Sequence, residues 1–480
     1  MEDKLNVSIL DSFSKVDEKN IDQKLKEALQ SFHKKIVVLD DDPTGVQTVH
    51  DVSVYTDWSE ESIYDGFAEK NSMFFVLTNS RGMTVQETEA VHKEIAQNIL
   101  KVSAQTGKEF LVISRSDSTL RGHYPLETET LKETLEAGLN MKLDGEILLP
   151  FFKEGGRFTI NNVHYVMESD NLIPAAQTEF AKDKSFGYKA SHLGKWCEEK
   201  TGGRFKEKDV TYISLEDLRK CETEKITEAM CEVTDFNKIV VNAVDYIDIK
   251  VFTIALINAM NRGKNFILRS GAAITKVLGG VSDKPLLAHD ELILEDLEEN
   301  KNGGIIIVGS HVNKTTAQLE ELKKSKAPIE FVEFNQHRVL EDKGLEEEVK
   351  RVVSIVDTLI QEGKTAAVYT RRNRFDLKTD DKDEQIKVSV KISDAVTSIV
   401  TNLTVRPNFI VAKGGITSSD VGTKALAVKK ANVMGQIKPG VPVWMTGSES
   451  KFPGLPYIIF PGNVGTNETL KDVVERLMGM

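Results

Sequence analysis

Short apolar runs that stop abruptly in polar clusters set the rhythm of this chain. Lys35 leads into IVVL, which ends in Asp40, Asp41 and Asp42. Met73 to Leu77 ends at Thr78, Asn79, Ser80 and Arg81, and Phe110 to Ile113 ends at Ser114, Arg115, Ser116 and Asp117. Helical-looking stretches follow each run, and continuous apolar runs bounded by polar loops are what buried parallel strands look like. Further on, Ile305 to Val308, Ala366 to Tyr369, Phe409 to Ala412 and Tyr457 to Phe460 repeat the pattern, with helical stretches such as Leu345 to Ile360 between them. The expectation is an α/β protein of two domains, each a mostly parallel sheet flanked by helices. The acidic segment from Pro285, ending in Gly303 and Gly304, reads as the connection between them, with a boundary near Asn300. Residues 35–300 and 301–480 then form the two domains. Residues 1–34, with Ile21, Leu25 and Leu29 at helical spacing, read as an amphipathic helical extension.

At 480 residues the chain exceeds what one core usually organises, which agrees with two domains. Its formal charge of −12 disfavours a sequence-independent hold on phosphate backbones, so no nucleic-acid partner is expected. The three cysteines, Cys197, Cys221 and Cys231, lack metal-ligand spacing and suit a reducing compartment. The opening residues MEDKLNVSIL do not read as a secretory signal, and no apolar stretch reaches the length of about 18 residues that a membrane helix needs. A cytoplasmic protein without a membrane partner is expected, with room left for a homo-oligomer.

Open α/β sheets place ligands beyond the carboxyl ends of their strands, so the polar clusters are the first candidates for chemistry. Asp40-Asp41-Asp42-Pro43-Thr44-Gly45 crowds carboxylates at a tight turn, where one of them can become a base or bind a cation. An ordinary exposed turn is the plain alternative. Arg115-Ser116-Asp117-Ser118-Thr119-Leu120-Arg121-Gly122 offers guanidiniums to a carboxylate and hydroxyls to a polyol, or else a capped helix start with surface ion pairs. Arg81 and the Arg157 of Gly155-Gly156-Arg157-Phe158-Thr159 add cations, and His164 in VHYV reads as a packed strand residue rather than a catalyst. In the second domain Lys413-Gly414-Gly415-Ile416-Thr417-Ser418-Ser419-Asp420 follows a strand. Thr417 and Asp420 have capping-box spacing, and a glycine turn feeding a helix start can hold phosphate or simply ease the turn. Gly309-Ser310 and Gly462-Asn463-Val464-Gly465 also follow strands, so three glycine-bearing strand ends could converge on one nucleotide. Neither a Walker motif nor a dinucleotide fingerprint is present.

Taken in order, DDDPTG, TNSRG, SDSTLRG, GGRFT, KGGITSSDV, KPGVPV and PGNVG resemble the landmarks of the four-carbon acid sugar kinase family, from Lys35 to about Gly465. The resemblance implies an N-terminal domain that binds a tetronate-type acid, a C-terminal domain that binds ATP with Mg²⁺, and reaction in the cleft between them. Members phosphorylate threonate, erythronate or 3-oxo-tetronate. By motif, Asp41, Asp42, Thr44, Arg81, Asp117, Ser118, Arg121 and Arg157 fall on the acid-sugar side, with Asp41 or Asp117 as the base. Ser310, Gly414, Gly415, Ile416, Thr417, Gly462 and Gly465 fall on the nucleotide side. The chain departs from the pattern at Phe460-Pro461, where members tend to carry Lys-Ser, at Asn161-Asn162, usually glycine-bearing, and at Ala181 to Lys184. A nicotinamide-dependent hydroxy-acid oxidoreductase and a non-catalytic sugar-acid-binding protein are the alternatives. The first lacks its fingerprint, and the second would follow if the change at Phe460-Pro461 disabled nucleotide use.

Overall fold

In a computed structural model of the protein, which describes residues 2–139, 141–292, 301–373, 375, 382–462 and 464–480, the apolar runs become strands. The chain forms two compact units, Met1–Asp283 and Lys284–Met480. The boundary expected near Asn300 lies outside the described residues.

In unit 1, β2 (Lys35–Asp40), β3 (Val52–Tyr55), β4 (Met73–Leu77), β5 (Phe110–Arg115), β6 (Gly145–Leu149), β10 (Thr211–Ile213), β11 (Asn237–Val241) and β12 (Phe266–Ser270) form a parallel sheet. Its order is β10-β11-β6-β12-β5-β2-β4-β3. Every residue of β2 and β4 is buried, because helices cover both faces of a parallel sheet and leave no polar side for alternation. Helix Val85–Thr106 packs Ile95, Ala96, Ile99 and Val102 against Val37, Leu39, Phe74 and Val76. β2 and β5 run on through Asp40 and Arg115, so charged residues read from sequence as loop starts are still paired within the sheet (Asp40↔Arg115).

Two charges lie deeper still. Lys238 of β11 stands opposite Glu146 of β6, with Nζ 2.6 Å from the carboxylate and both side chains fully buried. Phe205 and Phe236 flank the ammonium group at 3.9 and 4.2 Å from ring centroid to Nζ.

A smaller antiparallel sheet, in the order β1-β9-β8-β7, is built from β1 (Leu5–Asn6), β7 (Arg157–Ile160), β8 (Val163–Glu168) and β9 (Asn171–Pro174). Asn161 and Asn162 join β7 to β8 with φ of 49° and 66°. Asparagine tolerates this left-handed backbone, so the two-residue hairpin forms without glycine. Residues 2–34 contain the helix Glu18–Ser31, which packs on helix Tyr246–Asn261 with Ile21 buried, and the short strand β1, which pairs with β9. Lys250 reaches Asp22, and the Arg219 guanidinium donates to the Ser14 carbonyl.

Unit 2 contains β13 (Ile305–Val308), β14 (Ile329–Phe334), β15 (Thr365–Thr370), β16 (Ile410–Lys413), β17 (Lys430–Lys438), β18 (Val441–Thr446) and β19 (Pro456–Phe460). The order is β17-β18-β19-β16-β13-β15-β14, parallel from β19 to β14 and antiparallel from β17 to β19. Ile306, Val308, Val411, Ile458 and Phe460 join Leu319 and Leu322 of helix Asn313–Leu322 and Leu470, Val473 and Leu477 of helix Thr469–Leu477 in its core. Among the described residues no helix is long and apolar enough to cross a membrane.

Candidate functional site

The carboxyl ends of β2, β4 and β5 are neighbours in the unit 1 sheet, and their loops form one charged cluster. Arg81, after β4, grips Asp41 with Nε and one terminal nitrogen at 3.2 and 2.7 Å, and its other terminal nitrogen lies 3.4 Å from Asp42. The Asp117 amide donates to Asp41 at 3.3 Å, tying the loop after β5 to the loop after β2. Asp42 accepts the Thr44 amide at 2.8 Å, which closes the DDDPTG turn. Gly45 is required there, since a Cβ would run into the Asp40 carboxylate.

Asp117 in turn holds Arg121, whose Nε is 2.7 Å away, and accepts the Thr119 hydroxyl. Burial alone would push the Asp117 carboxyl up. The Arg121 and Arg81 guanidiniums, with the hydrogen bonds from Arg121 and Thr119, outweigh it and hold the group far below the usual carboxylate range. Asp41 shifts the other way: burial raises it against the opposing pull of Arg81 and Arg115. Asp40, buried beside Arg115 at 3.2 Å, is pushed up by burial to about 8. Neighbouring carboxylates thus differ widely in proton affinity, a separation that acid–base chemistry uses.

Arg157, first residue of β7, lies near this cluster and has no carboxylate partner among the described residues. Its guanidinium is 5.7 Å from the Phe180 ring centroid, that of Arg121 is 5.0 Å from the same ring, and the buried Nε of Arg157 has no hydrogen bond among the described residues. Ser118 is buried, and its carbonyl accepts from His164 Nε2 at 2.7 Å. A carbonyl can only accept, so Nε2 carries the proton and Nδ1 accepts from the Thr159 hydroxyl at 3.0 Å. Burial brings His164 down to about 4, and its work is to fix the loop, as expected of a packed strand residue.

All eight residues expected on the acid-sugar side fall in or beside this cluster. Further groups join the cluster. Asp40 and Arg115 are paired within the sheet rather than loop starts, and Phe180, just before the Ala181 to Lys184 segment, comes to Arg121 together with Asp183, 4.0 Å away, through the fold. Buried Glu127 pairs with Arg269 at 2.6 Å, and Arg269 donates to the Arg121 carbonyl, bracing the loop from a distant strand.

In unit 2 the carboxyl ends of β19, β16 and β13 are side by side. Gly414 has φ of 124°, and a Cβ there would meet the Ser310 Cβ at 3.1 Å and Thr417 Oγ1 at 3.4 Å. Gly309 abuts the same Thr417 hydroxyl, so these two turns pack as one. Lys413 Nζ donates to the carbonyls of Pro461 and Gly462 at 2.6 and 3.0 Å, linking in the third turn. Gly465 has φ of 80° beside Thr469, and Ile416 is 73 % exposed. Asn463 lies outside the described residues. The capping-box reading is corrected: Gly414, not Thr417, precedes the helix Gly415–Asp420, because the glycine alone adopts the backbone that turns β16 directly into it. Lys413, the first residue of the motif, and Arg372, outside it, add contacts to this side. Arg372 donates to the Ser310 carbonyl at 2.7 Å, and one of its terminal nitrogens is buried without a partner among the described residues.

Among the described residues no group of three or more His, Cys, Asp or Glu side chains is arranged to hold a metal ion.

Comparison with known proteins follows the same division. Residues 36–278 match the family model of a sugar-binding N-terminal domain, and residues 305–470 that of a nucleotide-binding C-terminal domain. No curated protein matches the chain. Two solved structures share the fold at 16 % identity: a Salmonella typhimurium LT2 protein (TM-score 0.63, covering 91 % of this chain and 98 % of that one) and Haemophilus influenzae protein HI1011 of the domain family DUF1537 (TM-score 0.59, 92 % and 100 %). With matched domains of both kinds in the order the motifs imply, the chain belongs to the family with four-carbon acid sugar kinase architecture.

Proposed function

We propose that the protein transfers the γ-phosphoryl group of ATP to a hydroxyl of a four-carbon acid sugar such as threonate, erythronate or a 3-oxo-tetronate. The observation that carries the acid half is Arg157. A guanidinium that has a buried, unbonded Nε and no carboxylate partner among the described residues, and that shares the Phe180 ring with Arg121, suits a small carboxylate. Asp117, Ser118 and Thr44 supply acceptors and donors for the hydroxyls of such an acid. The nucleotide half rests on the domain match, on the packed glycine turns at Gly309 and Gly414, and on the Gly462 turn that Lys413 ties to them.

In this reading the substrate oxygen attacks the γ-phosphorus, the bond to the β–γ bridging oxygen breaks, and ADP leaves. The hydroxyl proton passes to Asp41. Asp117 is held ionised by Arg121 and Arg81 and has little affinity for a proton, whereas burial raises that of Asp41. Phosphoryl transfer depends mostly on positioning and charge compensation, which the fixed loops supply. Mg²⁺ would arrive on the nucleotide phosphates and neutralise part of their charge. An ADP-release assay over threonate, erythronate and their 3-oxo forms tests the reading, with NAD reduction followed in parallel. Acid-dependent ADP release is expected with at least one of them; its absence with all would refute the proposal.

A further inference from the structure

Lys413 ends β16 with its side chain buried, where a charged amine costs free energy unless something compensates it. Its Nζ donates to the Pro461 and Gly462 carbonyls and lies 4.2 Å from the Phe460 ring centroid. Carbonyls and a ring face offer partial negative charge, not a counter-ion. Among the described residues no carboxylate pairs with it. Asp420, on the helix that follows, is engaged by Lys424 and Ser393. Glu320 and Glu321 of helix Asn313–Leu322 hold Lys323 and Lys324. β13 brings only Ile and Val, and the titratable group of β19, Tyr457, donates its hydroxyl to the Ser418 carbonyl. The charged group that does act on Lys413 is Lys314, another cation. Burial first, then Lys314, brings the amine down to about 7.

The place is as telling as the deficit. Lys413 precedes Gly414 on the middle one of three parallel strands whose carboxyl ends carry the glycine turns, and it grips the turn of the neighbouring strand. We propose that Lys413 is a proton-linked positioning residue for nucleotide phosphate: its ammonium group, short of a counter-ion, is completed by a polyphosphate lying on these strand ends, so that binding charges the lysine and locks the Pro461–Gly462 turn. The inference rests on the reading of unit 2 as the nucleotide holder and deepens it.

Isothermal titration of the full chain with MgADP, and with adenosine as the control lacking phosphate, would test this. It is run from about pH 6 to about pH 9 in buffers of different ionisation enthalpy, on wild type, Lys413→Arg and Lys413→Met. Wild type should take up close to one more proton per MgADP than Lys413→Arg above about pH 8 and none extra near pH 6. Its Kd should weaken by about tenfold per pH unit above about 7. Lys413→Arg, always charged, should keep the affinity and lose that slope. Lys413→Met should bind MgADP roughly 10- to 100-fold more weakly at pH 6 and also lack the slope. Adenosine should show neither effect. Equal proton uptake by wild type and Lys413→Arg would overturn the role of Lys413 and leave nucleotide binding standing. No MgADP binding by wild type would overturn both. The comparison of wild type with Lys413→Arg decides the matter even if Lys413→Met fails to fold.

Discussion

Replacing Lys238 by Met should destabilise the protein far more than replacing Lys238 and Glu146 together. The two side chains are 0 % exposed and 2.6 Å apart, so neither can reach water when its partner is lost. Losing one member of a buried pair typically costs about 3–5 kcal/mol, because the survivor is left as an uncompensated charge. In Lys238→Met the surviving Glu146 keeps the Tyr124 hydroxyl at 3.1 Å, which softens the loss toward the lower figure. In Glu146→Leu the surviving ammonium keeps two aromatic neighbours, each returning roughly 0.5–2 kcal/mol. The double variant Lys238→Met/Glu146→Leu removes both charges, fills similar volume, and should fall within about 1 kcal/mol of wild type. At roughly 2–4 °C per kcal/mol, a loss near the lower figure of about 3 kcal/mol should lower the melting of the single variants by about 6–12 °C and leave the double variant nearly where wild type melts. Differential scanning calorimetry on the four proteins reads this directly. If the double variant loses as much as the two singles summed, the pair is not coupled and the reasoning fails.

Three further outcomes are expected. His164→Gln should flatten the acid limb of the stability profile: His164 stays neutral in the fold down to about 4, whereas the unfolded chain takes its proton near 6.5, so wild type loses stability as pH falls from about 6.5 to about 4. An unchanged slope in thermal unfolding across that range would contradict the neutral tautomer assigned here. Arg157→Met should raise KM for the acid roughly 10- to 100-fold while MgADP affinity, measured by titration, stays put; equal KM values would remove Arg157 from the carboxylate site. Gly309→Ala should weaken MgADP binding at least severalfold by driving the added methyl into the Thr417 hydroxyl, and Gly309→Ala/Thr417→Ala should recover part of the loss, as judged by the same titration.

Much of the architecture could be read from the chain because β2, β4 and β5 are buried on both faces and therefore appear as unbroken apolar runs. The candidate loops were legible for a related reason: each begins where such a run stops. What stayed hidden depends on contacts that no local pattern records. Asp40, Arg115 and Lys413 sit at the last paired positions of their strands, where sequence alone marks a charge as the start of a loop. Phe180 joins Arg121 to Arg157, and Glu127 meets Arg269, only through the tertiary fold. The capping-box spacing at Thr417 misled because the backbone freedom of Gly414 starts the helix earlier. A strand as short as β1 has no periodicity to detect.

That short strand has a practical consequence for handling the protein. Leu5 and Asn6 cover one border of the antiparallel sheet whose opposite border is β7, the strand that begins with Arg157. A recombinant fragment started at the first residue of the sugar-binding match, Ile36, would strip this cover together with the helix that buries Ile21. Exposed backbone on β9 would then be free to recruit foreign strands. Affinity tags are better carried at the far terminus, and weak acid binding by a trimmed fragment would report the trimming rather than the chemistry.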